Sequence, residues 1–205
     1  AGISAHELSY GQTAVVANLA CERPHQGVAF QWFDPAQGVI ALLPLPGDFV
    51  SLVWSAPQPL AEVLLADSDN LPARLAPRAE PHLGRLSGAG KAHAFPLRRV
   101  SVDRLAGSRL ALVGDAAHVV HPLAGQGLNL GLADVSELLR VLGDRESWRD
   151  PGDIVLLRRY ERQRAEPVSV MRFATHALAR LFARDDAISR EVRNLGLSAV
   201  DALPP

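Results

Sequence analysis

Apolar positions follow two different periods along this chain. From Gln12 to Ser55 four short apolar runs, Thr13–Ala20, Val28–Phe33, Val39–Leu45 and Phe49–Ser55, carry β-branched and aromatic residues and read as strands. Arg23-Pro24, Asp34-Pro35 with Gln37-Gly38, and Pro46-Gly47-Asp48 stand between them as turn signals. The last two have hairpin lengths, so the pattern predicts an antiparallel sheet. Trp32 and Trp54 fall inside strands and are expected in the core or a pocket wall. Pro57 to about Leu86 turns helical, with breaks expected at Pro59, Pro72, Pro77 and Pro81. Ser87-Gly88-Ala89-Gly90 reads as a flexible joint, and Ala92–Val100 as one more strand.

The second half is dominated by helical spacing. Arg109–Val113 reads as a short buried strand that runs into Gly114-Asp115 and a glycine-rich loop. Leu128, Leu132, Val135, Leu139 and Leu142 then recur at helical intervals, which predicts a helix with one apolar stripe. Asp150 and Pro151 fit the N-cap and first position of a further helix. Leu156, Leu157 and Tyr160 anchor it, a kink is expected at Pro167, and Met171, Ala174, Leu178 and Leu181 continue the stripe. These patterns predict an α+β protein with a sheet domain over 1–100 and a second domain over 101–205.

Composition narrows the function classes. The 205 residues are 48% hydrophobic and 21% charged, ordinary for a globular protein with a real core. A formal charge of -1 leaves no nucleic-acid footprint. Cys21 is alone, which excludes an internal disulfide framework and a four-thiolate zinc site and reads as a small buried apolar residue. The apolar runs fall far short of the roughly 20 residues of a spanning helix. No signal peptide is legible, and the opening Ala-Gly-Ile suggests a processed or trimmed product.

Chemistry concentrates in RLALVGDAAHVVHPLAGQGLNLGLAD, residues 109–134. A buried strand ending in Gly-Asp puts a carboxylate at the carboxyl edge of a sheet, where α/β folds hold ligands. Gly114 permits close backbone approach, and Asp115 can accept hydrogen bonds from hydroxyls. Gly125, Gly127 and Gly131 leave a loop and helix start almost bare, with unpaired N–H donors and a positive dipole end. The ligand described is polyhydroxylated, with a flat or anionic head. A metal reading uses Asp115, His118 and His121, three apart, but Pro122 prevents one helix through them and no metal is expected. A purely structural reading takes the glycines as helix packing and Asp115 as a cap. The sequence has no Gly-Lys-Ser/Thr phosphate loop and no Gly-x-Ser-x-Gly elbow.

This stretch resembles the second flavin-contact motif of the class A FAD-dependent aromatic hydroxylases, with the para-hydroxybenzoate hydroxylase fold. Within them it is most similar to the ubiquinone-biosynthesis hydroxylases. HPLAGQGLNLGL, the upstream AFPLRR (Ala94–Arg99), the downstream RRYERQRAEP (Arg158–Pro167) and the opening YGQTAVVANLACERPHQGVAFQWF carry the likeness. Relatives also carry Gly-x-Gly-x-x-Gly and an Asp-Gly motif, both absent here. The resemblance therefore implies a C-terminal portion: an antiparallel substrate-domain sheet, then the flavin-contact strand, loop and helices, without the N-terminal dinucleotide-binding half.

What the resemblance implies can be placed residue by residue. Asp115 would bond the ribityl hydroxyls of non-covalent FAD, with Gly114 giving clearance. The loop Pro122–Asn129 would lie along the isoalloxazine, with Gly125 in it and backbone N–H groups of Gly127, Leu128 and Asn129 near the pyrimidine edge. Pro122 would stand near flavin and substrate and is the one catalytic candidate. NAD(P)H would reduce the flavin, O₂ would add, and a flavin hydroperoxide would hydroxylate a lipophilic aromatic substrate, a polyprenylated phenol or quinol of ubiquinone biosynthesis. Two alternatives are a same-fold flavin reductase or dehydrogenase without hydroxylation, and a non-catalytic scaffold subunit of a biosynthetic complex. The chain alone is expected to bind FAD weakly or not at all, to be inactive, and either to self-associate through exposed apolar surface or to fold only by rearrangement. A cytoplasmic location, peripheral at the membrane, is expected, with Arg158, Arg159, Arg162 and Arg164 facing anionic lipid or paired with Glu161 and Glu166. A homo-oligomer or a biosynthetic complex is the expected assembly.

Overall fold

The computed structural model describes residues 2–121, 125–183, 186 and 191. Residues 11–97 belong to one compact unit, and residues 2–10 and 98–180 to a second.

In the first unit, β1 (Ala5–Cys21) from Gly11 onward, β2 (Phe30–Asp34), β3 (Gly38–Leu45) and β4 (Phe49–Pro57) form an antiparallel sheet in the order β2-β3-β4-β1. Register follows the hairpin signals: Asp34 faces Gly38, and Leu45 faces Phe49. The first of these turns is held by Asp34 Oδ1, which accepts the N–H groups of Ala36 and Gln37. Gly38 closes it at φ +87°, where a Cβ would stand 2.0 Å from the Ser55 carbonyl oxygen, so only glycine fits. Alternate residues point to one face: Val15, Ala17 and Leu19 from β1, Ile40 and Leu42 from β3, and Val50, Leu52 and Trp54 from β4 are all buried. Trp54 also donates its indole N–H to the Gln37 carbonyl at 2.9 Å.

Two helices complete this core. From α1 (Gln58–Ala66) come Ala61 and Leu64. From α2 (Leu71–Leu83) come Leu71, Leu75, Ala79 and Leu83, a buried stripe at intervals of four. The expected proline breaks are mostly absent. Pro59 and Pro72 occupy first turns, where no N–H is needed. Pro77 and Pro81 lie inside α2 on its exposed side, where water can serve the carbonyls they leave unpaired. The expected joint at Ser87–Gly90 is also partly ordered: β5 (Leu86–Gly88) pairs with β1, because the Leu86 side chain is drawn into the core.

Strand β6 (His93–Val102) begins in the first unit and ends in the second, where Val100 pairs with Val119 of β9 (His118–Val119). A two-stranded ribbon joins β7 (Ala106–Gly107) to β8 (Leu110–Ala111). The strand expected over Arg109–Val113 therefore shrinks to two half-buried residues. Arg109 has φ +58° and makes the corner of the ribbon rather than the start of a strand. Two helices follow, α3 (Gly127–Gly143) and α4 (Ile154–Ala183). Helix α4 starts later than expected: Asp153 Oδ1 accepts the Val155 N–H, while Asp150 binds the Gly152 N–H and Arg109. It also continues through Pro167, which is exposed. Leu105, Ala117, Val141, Leu156 and Tyr160 form the core of this unit.

The apolar stripe of α3 is turned outward except at Leu142, which packs against the core. Leu128, Leu132, Val135 and Leu139 are 43% to 74% exposed, and the buried positions are Leu130, Asp134 and Val141. The inner face is built on a carboxylate.

Candidate functional site

The turn that follows β8 is a single 3-10 turn, Gly114–Ala116, closed by Ala117 N–H donating to the Gly114 carbonyl at 2.8 Å. Gly114 sits at φ +59°, conformational space that favours glycine. Gly131 on α3 faces it so closely that a Cβ there would stand 3.2 Å from the Gly114 Cα. Two glycines thus let a helix and a turn approach backbone to backbone.

A groove of about 610 Å³ opens between this turn and the start of α3. Gly114, Asp115, Gly125, Gly127 and Leu128, five of the seven expected cofactor residues, line it, together with apolar walls from Val119, Leu132 and Val135. The Asp115 side chain is exposed and makes no hydrogen bond or ion pair among the described residues. Gln126 precedes α3 without a side-chain cap, so the first-turn N–H groups of Gly127, Leu128 and Asn129 are not capped by it. Asn129 itself is not a lining residue: its side-chain amide donates to Gln126 Oε1 at 3.0 Å. Pro122, the expected catalytic candidate, lies outside the described residues.

Behind the groove stands a buried polar network absent from the expectations drawn on the sequence. Asp134 is fully buried; its Oδ2 accepts the Gly114 N–H at 2.8 Å and His118 Nε2–H at 2.6 Å. Its Oδ1 accepts Arg164 Nε–H at 2.6 Å, and Arg164 Nη2 reaches the Leu130 carbonyl at 3.2 Å. Tyr160 donates to the Leu112 carbonyl at 2.8 Å, and burial, reinforced by the nearby Asp134 charge, pushes its phenol pKa up. A signal existed: Leu130, Asp134, Leu138 and Val141 share one helix face, and a carboxylate on an apolar face requires a cation. The cation comes from 30 residues further along the chain.

His118 and His121, the histidines of the metal reading, are used otherwise. His121 is buried with its ring edge-on to Tyr10 at 4.7 Å, and burial, helped by the nearby His176, lowers its pKa to about 4. Tyr10 is raised by burial, partly opposed by Arg99. The arginine patch also resolves. Arg164 is inside, and Arg159 pairs with Glu146 at 2.7 Å, which with a backbone bond and Arg149 holds that carboxyl at about 2. Arg158 and Arg162 remain exposed. No described helix is long and apolar enough to cross a membrane.

Residues 9–174 match the FAD binding domain family. The chain is similar to the ubiquinone hydroxylase UbiL of Rhodospirillum rubrum, 42% identical over all of this chain and 48% of the relative. It is 34% identical to the 3-demethoxyubiquinol 3-hydroxylase of Escherichia coli, over 98% of this chain and 51% of that protein. Among solved structures, Pseudomonas aeruginosa PqsL in complex with 2-aminobenzoylacetate superposes with a TM-score of 0.70 at 26% identity, covering 87% of this chain and 50% of that one. Klebsiella pneumoniae HpxO, complexed with FAD and uric acid, shares the fold with a TM-score of 0.68 at 19% identity, over 95% of this chain and 50% of that one. The chain thus spans about half the length of the relatives it matches. With the glycine-lined groove, the exposed Asp115 and the uncapped start of α3 all inside the matched region, the chain belongs to the FAD binding domain family.

Proposed function

We propose that this chain is the flavin-contacting part of an FAD-dependent monooxygenase that hydroxylates an aromatic ring, a prenylated phenol or quinol in ubiquinone biosynthesis. The groove that gathers Gly114, Asp115, Gly125, Gly127 and Leu128 around a helix start carries this reading. The residues fit the group. Among the described residues nothing stands within 4 Å of where a Cβ would be at Gly125 or Gly127, so a flat ring can approach the backbone from their side. Asp115 offers an acceptor to ribityl hydroxyls, and first-turn amides offer donors to an electron-rich carbonyl edge. That donor set favours negative charge on the ring, as a reduced flavin carries. The names of the two relatives support the substrate class.

When bound, FAD supplies the redox chemistry, with NAD(P)H as the reductant and O₂ as the oxidant. The chain itself would hold the ribityl part at Asp115 and the ring in the groove that Leu128, Leu132 and Val135 line. A prenylated quinol is nearly insoluble in water, so we place the enzyme in the cytoplasm, at the membrane surface. Of the arginines expected to meet lipid, only Arg158 and Arg162 remain exposed for that contact.

The test is a fusion that joins to this chain the part of the Rhodospirillum rubrum relative that it does not match. The expected product retains FAD, oxidises NAD(P)H and converts a prenylated phenol to a hydroxylated product that incorporates ¹⁸O₂. A folded fusion that oxidises NAD(P)H without forming that product would point to a reductase. One that holds no flavin would overturn the reading altogether.

A further inference from the structure

We propose that Asp134 is a positioning residue for the turn that carries Asp115, and that Arg164 fixes Asp134 in that task. The proposal rests on the flavin reading of the groove and extends it to two residues that do not line the groove.

Four elements meet on one carboxylate: the Gly114 turn, β9 through His118, α3 through Asp134 itself, and α4 through Arg164. Asp134 has 0% exposure and Arg164 7%, so this pair is taken fully out of water. Such a pair is a poor device for stability alone, because an apolar pair of similar volume often serves as well or better. What an apolar pair cannot do is accept a backbone N–H. Asp134 Oδ2 does so at Gly114, one residue before Asp115. The same turn rests on Gly131, three residues before Asp134, so contact and hydrogen bond act together on its position. The fork of Arg164, spanning Asp134 Oδ1 and the Leu130 carbonyl, sets the carboxylate against the helix backbone.

Gly114 reports this directly. In the ¹⁵N-labelled chain its amide proton is expected to be protected from exchange. The double variant Asp134→Leu/Arg164→Leu removes both charges together and is expected to keep a cooperative unfolding transition while Gly114 exchanges at least ~10-fold faster. Asp134→Asn keeps one acceptor oxygen but sets an NH₂ group among donors, and is expected to weaken the bond, so that Gly114 exchanges faster and its resonance shifts. In the fusion described above, either variant should lower FAD affinity at least ~10-fold. A folded variant in which Gly114 keeps its protection and resonance overturns the proposal, as does one that releases Gly114 but binds FAD as tightly as the parent. Should both variants fail to fold, Arg164→Lys, which keeps charge but not the fork, takes their place. Faster Gly114 exchange with weaker FAD binding then supports the proposal, and an unchanged value of either overturns it. If the parent fusion itself holds no FAD, the flavin reading fails, and Gly114 exchange still decides whether Asp134 holds the turn.

Discussion

In the sheet unit, Leu64, Leu75 and Leu83 reach zero exposure on two helices whose apolar stripes face the strands. On α3 of the other unit, Leu128, Leu132 and Leu139 stand at 74%, 58% and 64% exposed, while Asp134 takes the buried place. Helices α2 and α3 are both amphipathic, yet they are oriented by different forces. Helix α2 is seated by burial of apolar area, which has no direction finer than a face. Helix α3 is seated by Val141 in the core and by a carboxylate with three partners at fixed distances, and Leu128, Leu132 and Val135 are left to wall the groove. One unit uses its leucines for stability; the other presents two of them, Leu128 and Leu132, to an open groove.

The largest effect expected from this contrast is in the sheet unit. Leu75→Ala should cost about 2–5 kcal/mol of unfolding free energy, from lost transfer energy and the cavity left behind. Urea denaturation measures it, and a loss under about 1 kcal/mol would show that the α2 stripe is not the anchor described.

The next effect is one of pH in the second unit. His121 has its pKa lowered to about 4 in the folded state, against an ordinary 6.5. The unfolded chain therefore binds more protons in that window, so stability is lost as pH falls from about 6.5 towards 4, by up to about 3 kcal/mol. Comparing urea midpoints at several pH values for the parent and His121→Gln isolates this contribution. Parallel curves would mean that His121 is not buried uncharged.

Much of the fold was legible because hairpins are local. Asp34 to Gly38 announces its turn with residues that bond their own backbone, and the apolar run Val39–Leu45 matches β3 to within one residue. The antiparallel sheet and the glycine-rich groove followed from such local signs. The orientation of α3 did not. The spacing of Leu128, Leu132, Val135 and Leu139 is the same whether the stripe meets a core or a groove, and nothing near Asp134 in sequence reveals Arg164. A long-range charge pair overrode a local pattern. For the same reason local signs place Arg164 in a lipid-facing patch and leave Asp134 out of the site. Arg109 illustrates a smaller failure: its left-handed backbone conformation has no signature in an arginine side chain.

The smallest stability effect belongs to the exposed stripe. Leu132→Ser with Leu139→Ser should change unfolding free energy by no more than about 0.5 kcal/mol per site. Sedimentation should show weaker self-association, since an exposed apolar patch is removed. A loss of several kcal/mol would return those leucines to the core and remove the contrast between the two helices.

The groove's role comes down to Asp115. In the fusion with the unmatched part of the Rhodospirillum rubrum relative, FAD stoichiometry and affinity should be measured for the parent and for Asp115→Ala. The parent should carry about one FAD per chain, whereas this chain alone should bind FAD with a Kd weaker than about 1 μM, short of about -8 kcal/mol. Each charge-assisted bond lost with Asp115 should cost about 1.5–3 kcal/mol, a roughly 10- to 150-fold fall in affinity, with the fold intact by circular dichroism. A folded Asp115→Ala protein that keeps FAD at the parent's stoichiometry and affinity would contradict the assignment of this groove as the flavin cradle.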